Sequence, residues 1–251
     1  MSISRVALDL ESLANMYLLT KLKRAVGPLY RQLTWRRRCK PEGVEGVRKL
    51  GHRGYVGKQW DEPGVRQFEF MKRRGLTEDS VLLDLGCGSL RGGVHFIPFL
   101  KPGHYLGIDK ESSLIAAGTE KELGHGQLIE RRPELVVSDA FEFERFSKVA
   151  DLAVSISLFS HLNRRDARCA LTRLAAWAGS GLRLYATFFV AEDGPKRRNP
   201  PASHAHATFR YTEEEIRTFG AAAGFSVRHC EDWHDPLANQ KMFEFVLDRG
   251  R

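Results

Sequence analysis

Val81-Leu82-Leu83-Asp84-Leu85-Gly86-Cys87-Gly88-Ser89-Leu90-Arg91-Gly92-Gly93 is the stretch around which the other segments fall into place. Apolar positions run into an acid and two glycines set one residue apart. A helix-like pattern (Leu90, Val94, Ile97, Phe99, Leu100) follows and stops at Lys101-Pro102-Gly103. This reads as strand, tight turn, helix. In an open parallel sheet a ligand sits outside the carboxyl end of such a strand, where glycine lets backbone approach closely and a helix N-terminus offers free N–H groups.

The spacing argues against a dinucleotide. Counting G-x-G-x-x-G from Gly86 puts Arg91 at the third glycine position. Asp84 would also set a carboxylate beside a pyrophosphate and repel it. A ligand carrying positive charge suits the turn better.

Leu82-Leu83-Asp84-Leu85-Gly86-Cys87-Gly88 resembles the first motif of the class I S-adenosylmethionine-dependent methyltransferases, and the likeness runs from about Ser80 to Val246. Tyr105-Leu106-Gly107-Ile108-Asp109 reads as a second strand ending in an acid, which the resemblance implies accepts hydrogen bonds from the ribose. Val136-Val137-Ser138-Asp139-Ala140 is a third, whose acid would reach the adenine amino group. The resemblance implies S-adenosylmethionine as cofactor, held by Asp84, Gly86, Cys87, Gly88, Arg91, Asp109, Asp139, Ala140, Ser155 and Phe159. Where the family often has a further glycine straight after G-x-G, this chain has Ser89-Leu90-Arg91. A subgroup of the family shares G-C-G-S-L-R-G-G and a late D-W-x-x-P…N-Q-K-M, here Asp232 to Met242, without indicating a substrate.

The implied fold is α/β, a doubly wound, mostly parallel seven-stranded sheet with an N-terminal helical extension. Residues 1–60 would form a basic amphipathic extension and lid, and residues 61–251 the methyltransferase domain. After Asp109, Ser112 or Ser113 opens a helix running to Leu123. Asp151–Ser157 is a fourth strand, and Asn163 with Asp166 caps the next helix. Leu182–Val190 is a fifth strand. Thr212 with Glu215 forms a second capping box, and Phe225–Cys230 and Lys241–Leu247 close the sheet, the last strand antiparallel.

Charge is concentrated at the start. Residues 1–60 hold 13 basic against 4 acidic side chains, while residues 61–251 hold 26 against 27. A near-neutral domain does not look like a nucleic-acid groove, so polyanion binding would fall to the extension. Its stripe of Ile3, Val6, Leu10, Leu13 and Tyr17 predicts an amphipathic helix ending by Gly27-Pro28, followed by Trp35 and Arg36-Arg37-Arg38-Cys39-Lys40. Residues 1–40 therefore suit the domain's own core, a homodimer contact or an anionic membrane surface, with nucleic acid a weaker option. Gly51–Trp60 reads as a glycine-rich loop whose Tyr55 and Trp60 either cover the pocket or pin the loop. Asp61 then N-caps a helix with Val65, Phe68 and Met71 inward.

Four cysteines lie far apart, and no C-x-x-C pair suggests a zinc site or a disulfide framework. With no apolar run of about 20 residues and no secretory start, the expectation is a cytoplasmic protein, peripheral to a membrane if the basic extension binds one. His161, just after the fourth strand, is the first candidate for a general base, with His206 in the long segment 191–208 the second. Asp232 and His234 are weaker candidates at the same edge. His229, Cys230, Asp232 and His234 do not make a metal site, because strand alternation sends neighbours to opposite faces. Ser155-Ile156-Ser157-Leu158-Phe159 stands where methyltransferases of exocyclic amines carry Asn/Asp-Pro-Pro-aromatic. The implied function is thus in-line methyl transfer to an oxygen or nitrogen of a small molecule, such as a glycan, lipid or secondary-metabolite precursor. The alternative is a non-catalytic scaffold acting through its basic N-terminal segment.

Overall fold

The structure is a computed structural model that describes residues 40–57, 59–191, 199–236 and 239–248. The expected amphipathic helix before Gly27 and the cations Lys196, Arg197 and Arg198 lie outside the described residues.

The Val81–Gly93 stretch folds as its pattern dictates. Strand β1 (Leu82–Leu85) ends at the glycine turn, and helix α4 (Gly93–Phe99) follows it, after α1 (Gly43–Leu50), α2 (His52–Tyr55) and α3 (Asp61–Arg73). Strands β2 (Tyr105–Asp109), β3 (Glu134–Val137), β4 (Leu152–Ser155) and β5 (Arg183–Val190) pair in parallel on either side of β1. Strand β8 (Lys241–Leu247) runs antiparallel between β5 and β7 (Phe225–Cys230), giving the order β3-β2-β1-β4-β5-β8-β7. This is the expected sheet with one addition. The two-residue β6 (Arg210–Tyr211) pairs in parallel with the end of β5, bringing the chain after segment 191–208 back to the carboxyl edge.

Alternation along the strands divides the core. Leu83, Leu85, Leu106 and Ile108 pack toward helices α7 (Arg164–Trp177) and α8 (Glu213–Ala222), while Leu82, Tyr105, Leu152 and Tyr185 meet Phe70, Met71 and Phe96 of α3 and α4. Asn163 accepts from the backbone N–H of Asp166 to cap α7, and Thr212 and Glu215 complete the reciprocal box on α8.

Several local expectations are corrected. Helix α3 begins at Asp61 with Trp60 as its N-cap, and Val65 is 45% exposed. A Cβ on Gly64 would stand 2.6 Å from the Arg91 carbonyl. That close approach turns Gly64, Gln67 and Phe70 inward beside Met71, which is buried as expected. Gly51–Trp60 is not a plain loop, since α2 forms there under bonds from His52 and Arg53 to Glu122. The helix after Asp109 starts from Glu111, whose N–H is held by Asp109 Oδ1 at 2.9 Å, so Ser112 and Ser113 are not caps. It runs as α5 (Ser112–Ala117) into a π-helical turn at Gly118–Leu123, and an unanticipated helix α6 (His125–Arg131) follows. Strands β3 and β4 end earlier than expected, at Val137 and Ser155. Among the described residues no helix is long and apolar enough to cross a membrane.

Candidate functional site

The carboxyl ends of β1, β2 and β4 open onto a cavity of about 990 Å³, bounded on the far side by Tyr55, Val56 and residues 200–208. That is the upper end of the range for small-molecule sites, roughly 300–1,000 Å³.

The turn after β1 is built by its glycines. Gly86 has φ +82°, and a Cβ there would stand 3.0 Å from the Leu158 side chain, so both backbone conformation and close approach require glycine. Gly88 has φ +53°, and its N–H donates to Asp109 Oδ2 at 2.9 Å. Two residues further on, Leu90 also takes a left-handed φ, of +64°. A leucine there costs about 1–2 kcal/mol in local conformation, and complete burial of its side chain offsets it.

Asp84 is a buried carboxyl and Asp109 a half-buried one. Burial pushes Asp84 up to about 6, while the Tyr105 hydroxyl, donating to Oδ2 at 2.7 Å, pulls the other way. Asp109 is raised by burial and opposed by the N–H groups of Glu111 and Gly88. Each Asp109 oxygen accepts one main-chain bond and retains a lone pair. Cys87 lies beneath the turn with its thiol pushed up by burial, so it packs against β2 as an unreactive small apolar group. Arg91 is half-buried, and its Nη1 donates to the Val56 carbonyl at 3.0 Å. Its charge thereby pins the strap that follows α2 over the turn. Asp139 and Ala140 line the cavity just beyond β3, with the Ala140 N–H held by Ser138 Oγ.

Ser155 and Phe159 are corrections. Ser155 is still inside the strand ladder, and its hydroxyl is captured by the Leu85 carbonyl at 2.9 Å. Phe159 is fully buried against Phe188, with ring centroids 4.9 Å apart. Neither lines the cavity. The contact passes to Ile156, Ser157 and Leu158, where Ser157 takes φ +66° and Thr187 Oγ1 accepts its N–H at 2.7 Å.

His161 and His206 both line the cavity. His161 Nδ1 lies 2.6 Å from the Ala207 carbonyl. A carbonyl only accepts, so Nδ1 carries the proton and Nε2 is the basic nitrogen. Burial lowers the His161 imidazole, favouring the neutral ring. His206 stacks edge-on against Tyr55, with centroids 4.6 Å apart, and its Nε2 is buried with no hydrogen-bond partner among the described residues. Tyr55 is therefore a cavity wall. Trp60 is not: it is buried against His52 and under Arg53. Asp232 and His234 also lie away from the cavity, Asp232 paired with Arg74, because the chain turns back toward α3 after β7.

Sequence reasoning did not identify Phe141, Leu158 or Ser203 as cavity residues. Only the juxtaposition of loops brings them there, and no periodicity marks them. His204 stood out in the long segment only by composition.

Residues 83–181 match the family described as "Methyltransferase domain". Comparison with curated protein sequences gives no match. Magnesium protoporphyrin IX methyltransferase from Synechocystis PCC 6803, solved with bound SAM, superposes with TM-score 0.55 at 18% identity, covering 86% of this chain and 96% of that one. An amino pentose methyltransferase from Micromonospora echinaspora, also SAM-bound, gives 0.53 at 17%, covering 80% and 96%. Human N-acetylserotonin methyltransferase in complex with SAM gives 0.54 at 11%, covering 84% and 60%. At these identities the likeness is one of fold.

Proposed function

We propose that this chain is a class I S-adenosylmethionine-dependent methyltransferase that acts on a hydroxyl or an N–H group of a small molecule, a reading supported by the family match over residues 83–181 and by the shared fold. The observation that carries this reading is the convergence of Asp84, the Gly86–Gly88 turn, Asp109 and His161 on one cavity large enough for cofactor and acceptor together.

The residues present fit the cofactor. The left-handed glycines leave backbone room at the turn, Asp109 keeps acceptor capacity at the end of β2, and the buried Asp84 favours a positively charged neighbour. When bound, S-adenosylmethionine supplies an electrophilic methyl carbon on a sulfonium. Asp109 would hold the ribose, and Asp139 with Ala140 would border the base. His161 Nε2 would take the proton that the acceptor oxygen or nitrogen gives up as its bond to carbon forms. Most of the remaining rate comes from holding the reacting atoms in line, about 3 Å apart and away from water. A carboxylate acceptor would need no base, so a neutral imidazole at this place favours a nucleophile that bears an O–H or N–H and loses that proton as its bond to carbon forms.

Incubation with methyl-labelled S-adenosylmethionine and a panel of hydroxyl- and amine-bearing small molecules tests the reading. Label is expected in the small-molecule fraction, and label found only in protein or nucleic acid would overturn it.

The Asp84 carboxyl adds a pH dependence. Above pH about 6 it is ionised and attracts the cofactor's positive charge, so affinity should weaken as pH falls through 6. The unliganded protein should trend the other way. Its folded-state value lies above the unfolded one, so the stabilising contribution is complete in acid and is lost as pH rises through about 6. Titration between pH 5 and 8 should show the affinity trend in wild type, and Asp84→Asn should flatten it.

A further inference from the structure

Glu42 stands just ahead of α1 and leaves that helix uncapped by its side chain. Its carboxylate serves two other segments instead. Oε1 accepts from Lys110 Nζ at 2.7 Å and from the Ala205 N–H at 2.7 Å, and Oε2 lies 3.4 Å from His204 Nε2. Burial works against ionisation of this carboxyl, and the bonds from Lys110 and Ala205 overcome it, holding it below the usual range. Lys110 directly follows Asp109, and Ala205 belongs to the loop that walls the acceptor side of the cavity.

That loop is stitched to the segment after β4. The His204 N–H donates to the His161 carbonyl at 3.1 Å, the Ala207 N–H to the His204 carbonyl at 3.1 Å, and the Phe209 N–H to the Ser160 carbonyl at 2.8 Å. His204 Nδ1 accepts the His206 N–H at 3.1 Å, so its proton sits on Nε2, facing Glu42. The loop then delivers the Ala207 carbonyl to His161 Nδ1.

We propose that Glu42 is a positioning residue for methyl transfer: by accepting the Ala205 N–H and holding His204, it sets the loop whose Ala207 carbonyl keeps His161 in the Nδ1–H form with Nε2 free as base. The proposal rests on the reading of His161 given above. Lys110 ties the same carboxylate to the end of β2, so one side chain sets the spacing between the cofactor strand and the acceptor loop.

The test uses the full chain, labelled with nitrogen-15 and saturated with S-adenosylhomocysteine, reading the His161 ring by long-range proton–nitrogen spectra and residues 204–207 by amide exchange. Wild type should show the single Nδ1–H tautomer. Glu42→Ala should show mixed tautomers and exchange about tenfold faster across the loop. Glu42→Gln should keep the wild-type tautomer, since an amide oxygen still accepts from Ala205. The exchange pair Glu42→Lys with Lys110→Glu should recover thermal stability but not the tautomer, because an ammonium has no lone pair for the Ala205 N–H. Wild-type His161 signals in Glu42→Ala, or their full recovery in the exchanged pair, would overturn the role of Glu42. Failure of wild type to bind S-adenosylhomocysteine would overturn the reading on which it rests.

Discussion

Asp109→Ala is expected to bind S-adenosylmethionine about a hundredfold more weakly than wild type in calorimetric titration. A hydrogen bond to a charged group contributes roughly 1.5–3 kcal/mol, and about 1.4 kcal/mol is a factor of ten, so two ribose contacts account for a loss of that size. The substitution also releases the Gly88 and Glu111 N–H groups, which Asp109 holds at 2.9 Å each. The turn after β1 and the start of α5 would both lose their tether, so the heat of binding should change along with the affinity. Asp109→Asn separates the two contributions. Its amide oxygen can keep one main-chain bond but not both, and an intermediate affinity is expected. A variant Asp109→Ala that binds as tightly as wild type would sink the cofactor site as described here.

Loss of the imidazole at position 161 should act on the chemical step instead. With an acceptor in hand, His161→Gln is expected to lower the single-turnover rate by roughly 10²–10⁴-fold, the usual contribution of a general base, while cofactor affinity stays near wild type. Glutamine is the informative choice because its amide can still donate to the Ala207 carbonyl and hold the loop, yet it has no basic nitrogen. The wild-type rate should fall as pH drops through the pKa of the His161 ring, which burial places below the ordinary imidazole value. That inflection should be absent in the variant. Full activity in His161→Gln would show that the proton leaves by another route.

Much of the fold was readable because its signals are local. The apolar runs that end in an acid at Leu82–Leu85 and Tyr105–Asp109, the Gly86 and Gly88 turn, and the Thr212–Glu215 capping box each depend on residues a few positions apart. Element ends were less legible. The serines at 112 and 113 look like helix caps, yet the N-cap is Glu111, whose own N–H is held by the Asp109 carboxylate. Val65 looks inward by spacing, yet the approach of Gly64 to Arg91 rotates the face.

The site divides in the same way. Asp84, Gly86, Gly88, Asp109, Asp139 and Ala140 border the cavity because each lies at or just beyond the end of a strand that the pattern could delimit. Ser155 fails because the ladder between β4 and β5 extends to it and its hydroxyl is captured on the Leu85 carbonyl, and Phe159 because its ring is buried against Phe188. Arg91, expected at the cofactor, does line the cavity, but its bond to the carbonyl of Val56, 35 residues away, is written in no local pattern.

The class of cofactor came from a family resemblance, and from the residues themselves came the strand-turn-helix at Val81–Gly93 and the acids at the ends of the strands after it. These rest on local periodicity, on glycine's access to left-handed backbone, and on charge at strand ends. Only the tertiary structure decided which nitrogen of His161 is basic, that Arg91 secures a strap, and that Glu42 reaches both Lys110 and Ala205. Those outcomes depend on side chains meeting main-chain groups of distant segments, and no spacing within one segment records such a meeting.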